Sequence, residues 1–380
     1  MWETVLNSLA QGFTHLTWQS ALLIALGGVL LYLAVGRRIE PLLLVPIGFG
    51  VILGNLPLGM MSASDEGGVI NIIYKAGILT EIFPALIFIG LGAMIDFGPM
   101  LANPKVLIFG AAGQFGIFLT LLLGLQFFTR AQAASIAVIG AMDGPTAIYV
   151  TSQYARELLP AVSIAAYSYM SLVPVLKPPI MRFLTTKKER AIVMPYEEKK
   201  VSKQVKVLFP VVAGILMMLI APMGAPLMGM LMLGNFLKES GVVGRLADVS
   251  STVLINIVTL LLGLCIGAAM LGGNFLQVTT LAVFGLGLLA ICLDTVTGVL
   301  IGKLMCVATR GRINPLLGAA GTSAFPMSAR VVQKEGQKAN PRSFLLWHAI
   351  GANTGGQIGS VMAASVLLAI LKGLGTPLSS

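Results

Sequence analysis

One carboxylate stands beside a glycine-proline pair in the middle of an apolar stretch. The sequence there is Asp143-Gly144-Pro145-Thr146, with residues 136–139 apolar before it and 147–150 apolar after it. An aspartate at hydrocarbon depth costs several kcal/mol unless it faces a partner or a water-filled path. Proline has no N–H and clashes with the preceding turn, so a helix breaks there and leaves backbone groups unpaired beside the carboxylate. Together with the Thr146 hydroxyl they form a set of hard oxygen ligands, the kind that suits a small alkali cation. The ordinary alternative is a helix N-cap or turn aspartate at the membrane surface. The apolar flanks on both sides favour the cation reading.

A second set of residues has similar chemistry. Asn353, in Gly351-Ala352-Asn353-Thr354-Gly355-Gly356, offers a carbonyl oxygen without adding charge, so a site shared by Asp143 and Asn353 would balance one cation. It also reads as a helix-packing asparagine. The Gly-rich stretch is no phosphate loop, because no Lys-Ser/Thr pair follows it. Residues 314–330 hold Asn314, Pro315, Gly318, Gly321, Thr322, Ser323, Pro326 and Arg330. They read as a broken helix rich in hydroxyls and carbonyls that ends in a cation. Arg330 serves either to bind a carboxylate, to repel the transported ion, or as a plain charge on the positive side. Tyr167 and Tyr169 suit an aromatic belt or a proton relay. Asp96 reads as a cap or turn, and Asp294 stays undecided.

The elements that must position these residues follow from composition. Of 380 residues, 56% are hydrophobic and only 11% charged, against roughly a quarter charged in soluble domains. The apolar residues form long blocks, at residues 17–35, 42–58, 83–95, 106–128, 131–149 and 158–176 and again through the second half. The pattern predicts an all-α polytopic membrane protein with roughly ten to twelve membrane segments, several short or broken. Residues 131–149 are interrupted at Asp143 and 345–371 at Asn353-Thr354-Gly355-Gly356, and 279–305 is one long or one broken helix. The first segment reads as a retained helix, since no basic region precedes it. The net charge of +10 gathers between the blocks, which argues for membrane orientation and against nucleic-acid binding. Cys265, Cys292 and Cys306 are scattered and suggest helix packing, with no disulfide framework or metal site. No soluble-enzyme motif such as HExxH or GxSxG is present in the sequence.

The densest basic stretch, residues 177–206, marks the cytoplasmic side and divides the chain. Four signatures recur in order across it: Leu53-Gly54-Asn55 with Leu233-Gly234-Asn235, Gly92-Ala93 with Gly267-Ala268, Asp143-Gly144-Pro145 with 318–323, and the Pro174 region with Asn353. Two inverted structural repeats with discontinuous helices are expected. The division is an N-terminal helix (1–38), a first repeat (39–176), a basic cytoplasmic loop (177–206) and a second repeat (207–380). The residues alone therefore give a cation-coupled membrane protein with an unidentified driving force.

Longer stretches carry a resemblance. They are 40–50, Gly92-Ala93-Met94-Ile95-Asp96-Phe97-Gly98-Pro99, 143–149, Ala165-Ala166-Tyr167-Ser168-Tyr169-Met170, Pro178-Pro179-Ile180-Met181-Arg182, Gly234-Asn235, 239–243, 255–259 and Asn314-Pro315-Leu316. On these the chain resembles, over nearly its whole length, the beta subunit of the sodium-pumping biotin-dependent decarboxylases that act on oxaloacetate, methylmalonyl-CoA or glutaconyl-CoA. The resemblance implies a subunit of a multi-pass bacterial inner membrane protein complex that decarboxylates carboxybiotin, exports Na+ and consumes a proton. Its partners would be a biotin carrier protein or domain, a carboxyltransferase alpha subunit and a small membrane gamma or delta subunit. The implied assembly is a homotrimer with an elevator-type movement, and the biotin is carried by a partner.

The resemblance also assigns residues. Asp143, Thr146 and Asn353 would hold Na+, with Asn314, Gly318 and Ser323 around a further Na+ site. Tyr169, Arg330 and Asp143 would be catalytic, and Arg330, Ser323 and Asn314 would meet the carboxybiotin. This sequence departs from the family pattern at Ala141-Met142, at Ala319 in place of a serine, and at Thr354-Gly355. The alternative is a cation-coupled secondary transporter on a related inverted-repeat fold.

Overall fold

The computed structural model describes residues 11–38, 41–57, 59–195, 201–275 and 277–378. Glu40, Leu58, Glu197, Glu198, Lys199 and Lys200, which figured in the motifs and blocks above, lie outside them. The described residues are helical, with no strand among them. The main helices are α1 (Trp18–Gly36), α2 (Pro41–Gly54), α3 (Ile82–Met94), α4 (Phe115–Gly124), α5 (Arg130–Ala137), α6 (Gly144–Tyr154) and α7 (Leu159–Leu184). After the polar connection come α8 (Lys203–Ile220), α9 (Ala225–Ser240), α10 (Ile255–Ala268), α11 (Val278–Ala308), α12 (Met327–Ala339) and α13 (Leu346–Gly373).

Among the described residues, six helices are long and apolar enough to cross a membrane, or up to 8 if each of two bent pairs forms one span. The first bent pair joins Val69–Leu79 to Ile82–Met94 at 63°. A π-helical turn at Lys75–Leu79 and a left-handed Glu81 make that corner. The second joins Arg156–Met170 to Leu172–Leu184 at 64°. Pro174 explains it, because its ring displaces the carbonyl one turn back, at Met170. α11 has 31 residues and is about 46 Å long at 1.5 Å per residue, so it must tilt across a ~30 Å hydrocarbon core. It is unbroken at Asp294.

Two helix crossings hold the centre. α2 packs on α10, and α3 packs on α9. A Cβ added at Gly50 would lie 2.2 Å from Leu264 O, and one at Gly267 would lie 2.1 Å from Ile47 O. At the other crossing, a Cβ at Gly92 would lie 2.0 Å from Leu231 O and one at Gly234 would lie 2.0 Å from Ile89 O. Only glycine lets the two backbones touch, which in a membrane replaces the missing hydrophobic drive with close packing. A buried asparagine seals each crossing. Asn55 Nδ2 donates to Met270 O at 2.6 Å, and Asn235 Nδ2 donates to Ile95 O at 3.1 Å.

Two boundaries differ from the reading of charge and glycine content. α7 runs on to Leu184 and α8 starts at Lys203, so the polar connection is narrower than residues 177–206. Charge clusters locate a membrane face, and helices extend beyond that face. α13 is continuous through Asn353-Thr354-Gly355-Gly356, where an interruption was expected. Each glycine costs a helix about 1 kcal/mol in propensity, but here tertiary contact overrides it. A Cβ at Gly356 would lie 2.4 Å from Gly321 O.

Candidate functional site

Two irregular segments meet inside the bundle. The first break follows α5: a 3-10 turn at Val138–Ala141, then Met142 in the left-handed region at φ 55°, then Asp143. The second is a 3-10 turn at Pro315–Ala320 that continues as loop to a cis Phe325–Pro326 peptide before α12. Ser323 N donates to Ala141 O at 3.2 Å, so the breaks touch through their backbones. Irregular backbone at this depth is stable only because protein surrounds it on all sides.

Asp143 is the N-cap of α6, and its Oδ1 accepts from Thr146 N at 3.4 Å. The cap reading and the buried-carboxylate reading therefore hold together, since the residue is 4% exposed. Its Oδ2 accepts from Gln357 Nε2 at 2.9 Å and from Ser360 Oγ at 2.8 Å. Gln357 and Ser360 lie on the same α13 face as Asn353, spaced by one and two turns. Sequence reading missed both. The i, i+4, i+7 spacing of three polar residues in an apolar helix was the available signal.

Buried oxygens near this carboxylate are short of partners. Asn353 Oδ1 makes no hydrogen bond, and Thr146 Oγ1 has no partner besides the Asp143 carboxylate itself. Asn353 Nδ2, by contrast, donates to Ala320 O and Thr322 O, which fixes the amide with its oxygen free. Ser323 Oγ donates to Gly356 O at 3.0 Å. A small cavity joins Asp143, Gly144, Pro145, Ser323, Thr259, Tyr167 and Gln357. One carboxylate with neutral hydroxyl and amide oxygens matches a single positive charge and hard-ligand chemistry.

The remaining predicted residues are spread around this centre. Tyr169 is half-buried and donates to Phe284 O at 2.7 Å, away from the carboxylate. It is Tyr167 that lines the cavity, and its ring fills the space a Cβ at Gly144 would need, 2.3 Å away. Asn314 is buried and caps the second break, accepting from Leu316 N at 3.0 Å. It also donates to Ile192 O at 2.9 Å, pinning the break to the polar connection. Gly318 allows the break to press on α11, where its Cβ would lie 1.8 Å from Gly298 O. Arg330 is exposed on the first turn of α12. Asp96 accepts from Gly98 N at 2.8 Å and pairs with Lys206 at 3.2 Å, as a turn residue does.

Lys177 was counted with the basic stretch, but it is fully buried within α7. Asp294 is equally buried on α11. At the polar face, Arg182 Nε lies 2.7 Å from Glu335 Oε2 and ties the end of α7 to α12. Burial by itself would raise the Glu335 carboxyl. Hydrogen bonds and charge from Arg182 and Lys338 outweigh it and hold that carboxyl below the ordinary range.

Comparison with known proteins gives the family. Residues 19–371 match the family model described as the Na+-transporting oxaloacetate decarboxylase beta subunit. The methylmalonyl-CoA decarboxylase subunit beta of Propionigenium modestum is 48% identical, over 94% of this chain and 96% of its own. The oxaloacetate decarboxylase beta chain of Klebsiella pneumoniae is 45% identical, over 96% and 98%. The glutaconyl-CoA decarboxylase subunit beta of Acidaminococcus fermentans is 47% identical, over 95% and 96%. The chain belongs to the family of beta subunits of Na+-transporting decarboxylases, and is a sodium-translocating, multi-pass membrane subunit of such a decarboxylase.

Proposed function

We propose that this subunit removes CO2 from carboxybiotin delivered by a partner protein and couples the step to outward movement of Na+, with uptake of a proton. The observation that carries the reading is Asp143, a buried carboxylate held by three donors beside the Thr146 hydroxyl and the unpartnered Asn353 Oδ1. One Na+ among these atoms is charge-compensated, so the loaded site crosses low dielectric without the cost of a bare ion. Asn314, Gly318 and Ser323 would shape a further Na+ position at the second break.

Arg330 would meet the carboxylate of carboxybiotin from the exposed start of α12. Decarboxylation draws charge out of that carboxylate, so a site poorer in water than bulk favours the step. Arg330 must then hold the ground state no more tightly than the transition state. Tyr169 would position α7 against α11 through its bond to Phe284 O. Asp143 would release Na+ and take up a proton on the return.

The two crossings described above support an inverted-repeat architecture. α2 corresponds to α9 and α3 to α10 by their Gly-Asn and Gly-Ala signatures, and each helix crosses the other unit's counterpart. The π turns Lys75–Leu79 and Ser250–Leu254 fall at matching places. Under this reading α1 corresponds to α8 and belongs with the first repeat, leaving residues 185–202 as the connection. The subunit would sit in the bacterial inner membrane as a trimer, moving its site in elevator fashion. A biotin carrier, a carboxyltransferase alpha subunit and a small gamma or delta subunit would complete the complex. A secondary transporter would need no decarboxylase, which the relatives' names carry.

The test is reconstitution of the whole complex in liposomes, with 22Na+ uptake measured on addition of the acyl substrate. Sodium-dependent uptake that Asp143→Asn abolishes is expected. Decarboxylation indifferent to sodium would sink the proposal.

A further inference from the structure

α7 places a lysine deep in the protein. Lys177 is 0% exposed. Its Nζ donates to Ala319 O at 2.7 Å, to Thr322 Oγ1 at 2.6 Å and to Ser328 Oγ at 2.7 Å. An ammonium has three N–H donors, and here each meets its own oxygen. All three oxygens belong to the second break and the first turn of α12. They are one carbonyl and two hydroxyls, neutral and hard, and two of them are also 3.0 Å from each other. This is the ligand chemistry of an alkali cation, and a side chain fills it.

The opposite charge comes from α11. Asp294 is 0% exposed, the backbone of Gly116 and Ile117 closes on its carboxylate, and it is the electrostatic partner of Lys177. Its carboxylate lies against backbone on both sides. A Cβ at Gly116 would be 2.2 Å from Oδ1, and one at Gly140 would be 2.8 Å from Oδ2. Gly140 belongs to the first break. The lysine thus sits under one break and the aspartate under the other. A buried charge persists only when paired or saturated with hydrogen bonds, and Lys177 has its three oxygens as well as a carboxylate of opposite sign.

We infer that Lys177 is a tethered cation: its ammonium occupies the oxygen cradle of the second break, with Asp294 as its counter-charge. The cradle of Ala319, Thr322 and Ser328 is then held by a side chain and needs no free ion, while the Asp143 site stays free to load and unload. Asn353 is a beneficiary, because its amide bonds to Ala320 O and Thr322 O, on the segment Lys177 holds. Lys177 is accordingly a positioning residue. The inference goes beyond the sodium-pump reading and stands without it, since it concerns groups outside the Asp143 site.

The experiment is thermal unfolding of the purified full-length protein in sodium-free buffer, with choline, methylammonium or sodium chloride added at equal ionic strength. Asp143→Asn is the background, so that the Asp143 site contributes no sodium response. A sodium response that the background keeps belongs to the further position at Asn314, Gly318 and Ser323, a response equal to that of the unsubstituted protein overturns the Asp143 reading, and the methylammonium arm tests Lys177 by itself. Lys177→Ala should lower the Tm by several degrees, with recovery by methylammonium and by sodium but not by choline, which is too bulky for the cradle. Lys177→Met should lower the Tm with no recovery, because its side chain fills the cradle without charge. Failure of methylammonium to stabilise Lys177→Ala, or a Lys177→Met protein as stable as its parent, overturns the inference. Should Lys177→Ala not fold, Lys177→Met is compared with Lys177→Met/Asp294→Asn. The double variant should be the more stable, and an equal or lower Tm overturns the charge pairing.

Discussion

Gln357 Nε2 donates to Asp143 Oδ2 at 2.9 Å, joining the middle of α13 to the N-cap of α6. The bond aligns one carboxylate oxygen with the polar face of α13, where Ser360 adds a second donor at 2.8 Å. Both donors lie on Oδ2, so Oδ1, which faces Thr146 and has the longer contact to its N–H, is the oxygen open to a cation.

Asp143→Asn tests the charge apart from the fold. Asparagine caps a helix about as well as aspartate, so the Tm in sodium-free buffer should move little. The sodium-induced rise in Tm should disappear together with 22Na+ uptake. A retained sodium response would place the ion elsewhere.

Ser360→Ala tests the alignment. Losing one hydrogen bond to a charged group costs about 1.5–3 kcal/mol, and every ~1.4 kcal/mol is tenfold in affinity. The sodium concentration for half-maximal decarboxylation should therefore rise about tenfold or more. A titration of activity against sodium reads this directly, and an unchanged midpoint would count against Ser360.

Gly234→Ala tests the crossing of α9 with α3. The new Cβ would meet the Ile89 carbonyl at 2.0 Å, and overpacking of this kind costs about 1–3 kcal/mol or more. Thermal unfolding should show a large loss. Gly28→Ala on α1 is the control, with nothing within 4 Å of the new methyl. It should be neutral or stabilising by up to about 1 kcal/mol.

Glu335→Gln tests the polar face across pH. The Glu335 carboxyl is held below its ordinary value by Arg182 and Lys338 against the opposing effect of burial. A depressed carboxyl stabilises the fold fully above its unfolded value, about 4.3, and the stabilisation fades as pH falls through the folded value. The Tm gap between the parent and Glu335→Gln should be constant from neutral pH to about 5 and close below about 4. A gap that widens in acid would contradict the assignment.

Membrane helices and the Asp143 break were legible because apolar blocks and a buried Asp-Gly-Pro have few soluble explanations. The crossings were legible in part. Gly54-Asn55 and Gly234-Asn235 repeat in the sequence, but nothing there says that each pairs with the other unit. Gln357 and Ser360 are masked in the sequence by the glycines before them, which look like a helix break and are a packing surface. Lys177 was misplaced for a similar reason. A lysine followed by Pro178-Pro179 looks like the start of a loop, and only the three oxygens around its ammonium show otherwise. Tyr167 and Tyr169 differ by two positions, and pattern alone does not say which ring turns toward the carboxylate.

The exchange of helices between α2 and α10, and between α3 and α9, bears on how the chain is made. When the first half leaves the ribosome, Gly50 and Gly92 have inserted without the carbonyls they will touch, because Leu264 and Leu231 are still unsynthesised. The early segments pack on one another, as α1 does on α2, but α2 and α3 lack these closest contacts until α9 and α10 have been inserted. Translation arrest between the halves would therefore leave a substrate for membrane proteases rather than a stable domain, and the two halves made from separate messages should survive only when made together.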